Sequence, residues 1–282
     1  MGHGIAQVAA GAGYRVIMRD LDREALARGV QAIEGNLQKG IRLGKLTEAD
    51  RDETLQHIRG TTRLEEAAQA DLVIEAVPEQ LELKKQIVGE LESFANRPVI
   101  FATNTSSFSI TEIAKASKDP RRLVGMHFFN PVHLMRLIEI VVGKDTADET
   151  VHAVREVSQR MGKESIVVKD VPGFASSRLG VALGLEAMRM FEQGVASAPD
   201  IDKAMELGYN HPMGPLKLTD LVGLDVRLKI AEYLHGELGS ETFRPPQVLR
   251  RLVGEGKLGR KTGQGFYNWN DEIGDARRAY YS

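Results

Sequence analysis

Residues 123–142 read L-V-G-M-H-F-F-N-P-V-H-L-M-R-L-I-E-I-V-V, the stretch that most narrows what this chain can fold into. Two apolar runs, 123–129 and 137–142, are rich in strand formers and flank an H-F-F-N-P turn. Pro131 cannot donate to a ladder, so the chain is expected to reverse there and lay the runs side by side. Each run carries a residue foreign to a plain core: His127 in the first, Glu139 in the second. A carboxylate inside an apolar strand costs on the order of several kcal/mol unless it is paired or hydrogen-bonded. If the strands are neighbours, His127 is its natural partner. A histidine held by a carboxylate has a fixed tautomer and a more basic free nitrogen. Such a pair can move a proton on and off a hydroxyl group. Either residue alone fits an ordinary core or edge position. Together, with Asn130 in the turn and an N-T-S-S segment at 104–107 upstream, they point to a site.

The 282 residues leave room for one large or two moderate domains. With 42% hydrophobic and 27% charged residues the chain reads as soluble and globular. A net charge of −2 argues against a nucleic-acid partner. There is no cysteine, which excludes disulfides, thiolate catalysis and Cys-ligated zinc, and fits a cytoplasmic protein. No apolar stretch reaches the ~18 residues of a membrane span, and the N-terminus lacks the basic region of a signal peptide. The seven histidines show no ligand spacing, so no metal is expected; His57, His152 and His235 read as surface residues.

In chain order, small residues with Ile5 and Val8 suggest a short helix over 2–13, and 14–20 reads as a strand ending on Asp20. Helix, strand, then acid is the second half of a dinucleotide-binding βαβ unit, and Asp20 stands where such an acid bonds the ribose diol. An amphipathic helix is expected over 22–45, its stripe formed by Leu26, Val30, Ile33, Leu37 and Ile41, and a second over 47–58. Residues 71–77, D-L-V-I-E-A-V, suit a parallel strand buried on both faces. Glu79 follows at the carboxyl edge, where open α/β sheets bind ligands. Lys84, in the first turn of a helix over 80–95, opposes the helix dipole, so a ligand reason is plausible. A strand over 99–103 leads to Ser106. A helix over 147–161 and a strand over 164–168 close a first domain of residues 1–170. Pro172 and Gly173 mark the boundary, and 171–282 shows no convincing strands. Its helix over 174–194 is apolar on nearly every side, which calls for a partner subunit as cover. Residues after Trp269 are polar and expected to be loosely ordered.

H-F-F-N-P followed by a strand glutamate resembles the L-3-hydroxyacyl-CoA dehydrogenases, close to the bacterial 3-hydroxybutyryl-CoA dehydrogenase type, and the likeness runs from Gly2 to about Trp269. It implies an α/β Rossmann-type NAD-binding domain and an all-α C-terminal domain that makes a homodimer and helps bind an acyl-CoA. It implies NAD-dependent oxidation of (S)-3-hydroxyacyl-CoA to 3-oxoacyl-CoA in fatty acid or butanoate metabolism. His127 would be the proton acceptor, Glu139 its orienting partner, and Ser106 and Asn130 would hold substrate and cofactor. Gly2, Asp20, Glu79, Lys84 and Lys261, in G-R-K-T-G-Q-G-F-Y, match cofactor-side residues. Asp20 favours NAD over NADP because an acid repels a 2′-phosphate. Asn36 and Lys45 match the region that contacts the phosphorylated adenosine of coenzyme A. Met1-Gly2 match the end of the family's G-x-G-x-M-G loop, so the chain is expected to begin inside its nucleotide fingerprint, with a strand and two glycines upstream of a misassigned start. One departure is G-F-A-S-S-R, where Ser177 stands in place of the family's usual asparagine.

Two other readings stay open on the residues alone. One is a dehydrogenase of a free hydroxy acid or sugar acid, which would share the dyad but lack coenzyme A contacts. The other is a non-catalytic nucleotide-binding protein, if the chain truly starts at Met1.

Overall fold

The computed structural model describes residues 1–270. The expectation of loose order after Trp269 concerns residues that, apart from Asn270, lie outside this range. Contacts group the chain into two compact units, Met1–Phe174 and the part from Ala175 onward.

The first unit opens with helix α1 (Gly2–Gly11), strand β1 (Val16–Arg19), helices α2 (Arg23–Arg42) and α3 (Glu48–Gln56), and strand β2 (Ile58–Thr61). α1 packs closely because Gly4 lacks a side chain: a Cβ there would stand 3.0 Å from Val132. α2 starts where the Asp22 carboxylate accepts the Ala25 N–H at 2.7 Å, and α3 where Thr47 and Asp50 cap each other reciprocally. α2 is shorter than its sequence suggests. It stops at Arg42, and Gly44 takes a left-handed φ of 66°, so Lys45 lies in the connecting turn. β2 pairs parallel with β1, Val16 opposite Ile58. Its I-R-G-T sequence has no strand pattern. Gly60 suits the place because Leu26 packs where its Cβ would be, at 2.8 Å.

The larger sheet runs β3 (Leu72–Glu75), β4 (Ile100–Thr103), β5 (Leu123–Phe128), β6 (Leu137–Val142) and β7 (Glu164–Lys169), neighbours in that order. Pairs β3–β4, β4–β5 and β6–β7 are parallel; β5–β6 is antiparallel. α4 (Leu64–Ala67) precedes β3, and between the strands come α5 (Leu81–Phe94), α6 (Ile110–Ala114) and α7 (Asp148–Arg160). β3 is an edge of this sheet, which is why Leu72, Val73 and Ile74 are only half-buried although their sequence suits a strand covered on both faces. β5 is buried along its whole length. Val124, Met126 and Phe128 join Ile5, Ile138, Ile140 and Val154 in one apolar cluster, while Leu123 packs with Ile110, Ile113, Val141 and Phe174 in another. Gly125 sits on the Leu123 face because a Cβ there would meet Val141 at 2.7 Å and Ile110 at 2.8 Å. The period-2 alternation of a strand turns His127 to that same face.

The second unit is helical: α8 (Ser176–Glu192), α9 (Ala198–Gly208), α10 (Pro215–Val222), α11 (Leu224–Leu238) and α12 (Gln247–Gly254). Val181, Leu185 and Met188 of α8 meet Leu216, Leu224, Leu234 and Leu249 in its core, while Leu179 stays 72% exposed. Two buried acids tie the closing segment to the helices. The Asp220 carboxylate accepts from the backbone N–H of Phe266 and Tyr267 and from Trp269 Nε1, at 2.9 to 3.0 Å. Asp202 accepts from Leu216 N–H, Lys217 N–H and the Tyr267 hydroxyl, the last at 2.6 Å. Burial, followed by that bond to Asp202, pushes the Tyr267 phenol well above its usual range. Gly265 is required here, since a Cβ would lie 2.2 Å from Asp220. Among the described residues, no helix is long and apolar enough to cross a membrane.

Candidate active site

His127 and Glu139 are directly opposite in the β5–β6 ladder. His127 Nδ1 lies 2.7 Å from Glu139 Oε2, and the two side chains are 10% and 0% exposed. An ionised carboxylate only accepts, so Nδ1 carries a proton, and in the neutral ring Nε2 would present a lone pair. Phe129 and Phe174 flank the imidazole, with ring centroids at 4.6 and 5.9 Å. Phe174 adopts a φ of 49°, a left-handed conformation that a phenylalanine keeps only where its surroundings fix it.

The H-F-F-N-P reversal is built on a cis peptide between Asn130 and Pro131, and Asn130 is exposed beyond it. Lys163 stabilises the following turn by donating to the carbonyls of Val132 and Met135. His133, within that turn, is pushed below its ordinary value by burial and then by the charges of Lys163, Lys39 and His3.

The N-T-S-S segment follows β4. Thr103 is the register partner of Gly125, so continuing the parallel register sets Thr105 level with His127. Asn104 fastens this loop on both sides: its N–H donates to Glu75 O at 2.8 Å, and its Oδ1 accepts the Phe128 N–H at 2.8 Å. Glu79 gathers the rest. Its Oε1 accepts from the Thr105 hydroxyl at 2.6 Å, the Ser106 N–H at 2.9 Å and the Ser107 hydroxyl at 3.1 Å. Burial alone would raise Glu79. The Thr105 bond, the Lys84 charge and the Ser106 N–H together outweigh it, and the carboxyl lies below its ordinary value. Lys84 is 1% exposed, and its ammonium is held between Glu75, at 3.0 Å, and Glu79, at 3.2 Å. It therefore braces Glu79 and does not project to an open face. Glu79, Ser106, Asn130 and the dyad share the carboxyl edge of β3, β4 and β5.

Asp20 follows β1, is exposed, and accepts only its neighbour's N–H, Leu21, at 2.8 Å among the hydrogen bonds described. Asp22 does the capping of α2, which leaves Asp20 available to a ligand. Gly2 begins α1, whose N-terminus has no side-chain cap. A Cβ at Gly2 would make an ordinary 3.7 Å contact with Ala76. Asn36 is half-buried and donates to Gln7 at 3.0 Å, while Lys45 is exposed. In the second unit, Ser177 sits in the first turn of α8, and Lys261 Nζ is 2.5 Å from Asp225. Among the described residues no cluster of His, Asp and Glu is arranged to hold a metal ion. His57 is half-buried with Nδ1 unpartnered, not a surface residue as its sequence context suggests.

Glu75, Thr103 and Phe174 were not marked out in the sequence. For Glu75 the signal was present: a carboxylate in an otherwise apolar strand, as in β6.

A parallel α/β unit with a free acid after its first strand and a buried His–carboxylate pair at its carboxyl edge defines the class: a dinucleotide-binding oxidoreductase fold. The profile of the 3-hydroxyacyl-CoA dehydrogenase NAD-binding domain matches residues 1–171, and that of the same family's C-terminal domain matches residues 173–269. The chain belongs to the 3-hydroxyacyl-CoA dehydrogenase family, and its nucleotide cofactor is NAD. It is 45% identical to a probable 3-hydroxybutyryl-CoA dehydrogenase of Deinococcus radiodurans over 95% of this chain and 96% of the relative. It is 41% identical to the 3-hydroxybutyryl-CoA dehydrogenase of Clostridioides difficile over 96% of both. The crystal structure of (S)-3-hydroxybutyryl-CoA dehydrogenase from Ralstonia eutropha superposes with a TM-score of 0.93 at 41% identity, covering 96% of this chain and 95% of that one.

Proposed function

We propose that this chain oxidises (S)-3-hydroxyacyl-CoA, with 3-hydroxybutyryl-CoA as the preferred chain length, to the 3-oxoacyl-CoA. The observation that carries the mechanism is the 2.7 Å bond between His127 Nδ1 and a fully buried Glu139. The residues present suit NAD. Asp20 stands uncommitted after β1, the α1 N-terminus offers N–H groups without a side-chain cap, and Ser106 and Asn130 are exposed at the same sheet edge. When bound, NAD supplies the hydride acceptor for carbon 3. His127 Nε2 takes the proton from the 3-hydroxyl group, and gives it back in the reverse direction. Glu139 fixes the ring and stabilises the imidazolium that this creates. Phe129 and Phe174 keep water from the ring's faces. Ser106 and Asn130 hold the substrate and the nicotinamide end. Glu79 and Lys84 act behind them, and Asp20 selects NAD. Asn36, Lys45 and Ser177 are candidates for coenzyme A and acyl contacts, and Lys261 for the cofactor.

Residues 1–170 would form the nucleotide domain, and 171–282 a dimerisation and substrate domain. The exposed Leu179, on a helix whose other face is core, supports a homodimer. We place its work in the cytoplasm, where a soluble enzyme of acyl-CoA metabolism would act.

The test is reduction of NAD by purified protein supplied with the (S) and (R) forms of 3-hydroxybutyryl-CoA. Turnover of the (S) form alone, lost by roughly a hundredfold or more in His127→Gln, is expected. Near-normal turnover in His127→Gln would exclude the mechanism.

A further inference from the structure

The proton transfer at His127 does not explain Glu75. This glutamate is the last residue of β3, its side chain is 3% exposed, and all its partners are internal. Oε1 accepts the Val77 N–H at 2.6 Å and the Lys84 ammonium at 3.0 Å. Oε2 accepts the Thr103 hydroxyl at 2.6 Å and Lys84 again at 3.2 Å. Lys84 then reaches Glu79 Oε2, also at 3.2 Å, and Glu79 Oε1 holds Thr105, Ser106 and Ser107. Carboxylate, ammonium and carboxylate thus run in a row from the edge strand β3 to the loop after β4.

Burying such a row is costly, and apolar side chains of similar size would hold two strands together as well. What apolar side chains would lack is direction. Each charged link fixes the next to within a hydrogen bond, and the last link sets the backbone at Ser106. The two faces of the row also differ in exposure. Glu75 and Lys84 are sealed, while Glu79 is 37% exposed and carries the loop that faces outward. That is the pattern of a rigid support behind a working group.

We propose that Glu75 is a positioning residue: acting through Lys84 and Glu79, it fixes the 105–107 loop so that Ser106 meets the ligand in one orientation. The proposal rests on the role given above to Ser106, yet part of its test does not depend on that role.

The experiment compares the parent protein with Glu75→Gln. Hydrogen exchange is followed by mass spectrometry on peptides covering 104–108 and 137–142, without added ligand. Turnover is measured in Glu75→Gln, Ser106→Ala and the double variant. Glutamine keeps the shape but removes the charge that anchors Lys84 to β3, so Lys84 and Glu79 lose their fixed position. Exchange at 104–108 should quicken by about tenfold or more while 137–142 is unchanged. Turnover should fall by about tenfold, and the same substitution placed on Ser106→Ala should cost less than about threefold more, because the two share one pathway. Should Glu75→Gln fail to fold, Glu75→Asp, which keeps the charge and shortens the reach, is read by the same criteria. Unchanged exchange at 104–108 would overturn the proposal, as would full additivity in the double variant. If the parent protein oxidises no 3-hydroxyacyl-CoA, the proposed function fails, and the exchange data still decide on Glu75.

Discussion

Replacing Glu139 by glutamine removes the negative charge of the dyad. The side chain is fully buried and keeps its length and one acceptor oxygen, so the hydrogen bond to Nδ1 can survive. What is lost is the attraction between a carboxylate and the imidazolium that exists only after His127 has taken its proton. Two unit charges about 4 Å apart at an effective dielectric of about 20 attract by about 4 kcal/mol. That corresponds to roughly a thousandfold in rate. The surviving bond offsets part of it, so the expected loss of turnover lies between about thirtyfold and about a thousandfold. Glutamine is neutral and of the same length, so it brings no new charge into the core and the variant should fold. Steady-state rates from the absorbance of reduced nicotinamide, with a separate titration of NAD affinity, give the answer. Turnover within about threefold of the parent at unchanged NAD affinity would show that Glu139 does not stabilise a charged histidine.

Other outcomes follow from particular groups. Asp20→Ser should narrow the preference for NAD over NADP, because a 2′-phosphate no longer meets a carboxylate; a parent protein equally active with both cofactors would contradict the role given to Asp20. Asp220→Ala leaves three donors without an acceptor, at Phe266, Tyr267 and Trp269, and should cost about 3 kcal/mol or more in denaturant unfolding; an unchanged midpoint would refute the tether. His3 and His133 have folded-state values below the ordinary 6.5, mainly through burial. The unfolded chain therefore takes up protons first, and their contribution is full above 6.5 and lost as the pH falls from there toward the folded value. Melting temperatures from about pH 7.5 to about 5.5 should fall less in a His3→Asn/His133→Asn variant than in the parent, and equal slopes would count against it. Light scattering at micromolar concentration should report a dimer; a monomer mass would contradict the homodimer.

The dyad is legible in the sequence because a charged residue in an apolar strand must have a partner, and the proline between the runs says where that partner lies. Glu75 obeys the same rule but closes a run of four, where a glutamate is also the usual way for a strand to reach solvent. Its partners Lys84 and Thr103 come 9 and 28 residues later, too far for any local pattern to join them. Lys84 shows the converse. Its sequence position, against the helix dipole, says that something holds it there but not whether a ligand or a neighbouring carboxylate does. β2 is missed because four residues with a central glycine have no alternation to read. Asp202 and Asp220 look like ordinary helix acids until the fold brings Tyr267, 65 residues away, and Trp269, 49 residues away, onto them.

The dyad is proposed to act on an alcohol carried by coenzyme A. The direct measurement sets (S)-3-hydroxybutyryl-CoA against free (S)-3-hydroxybutyrate, each with NAD, and compares kcat/KM. The thioester should be favoured by about a hundredfold or more, the worth of a few charged contacts to the remote end of the substrate. Equal rates on the free acid, or no reduction of NAD with either, would contradict it.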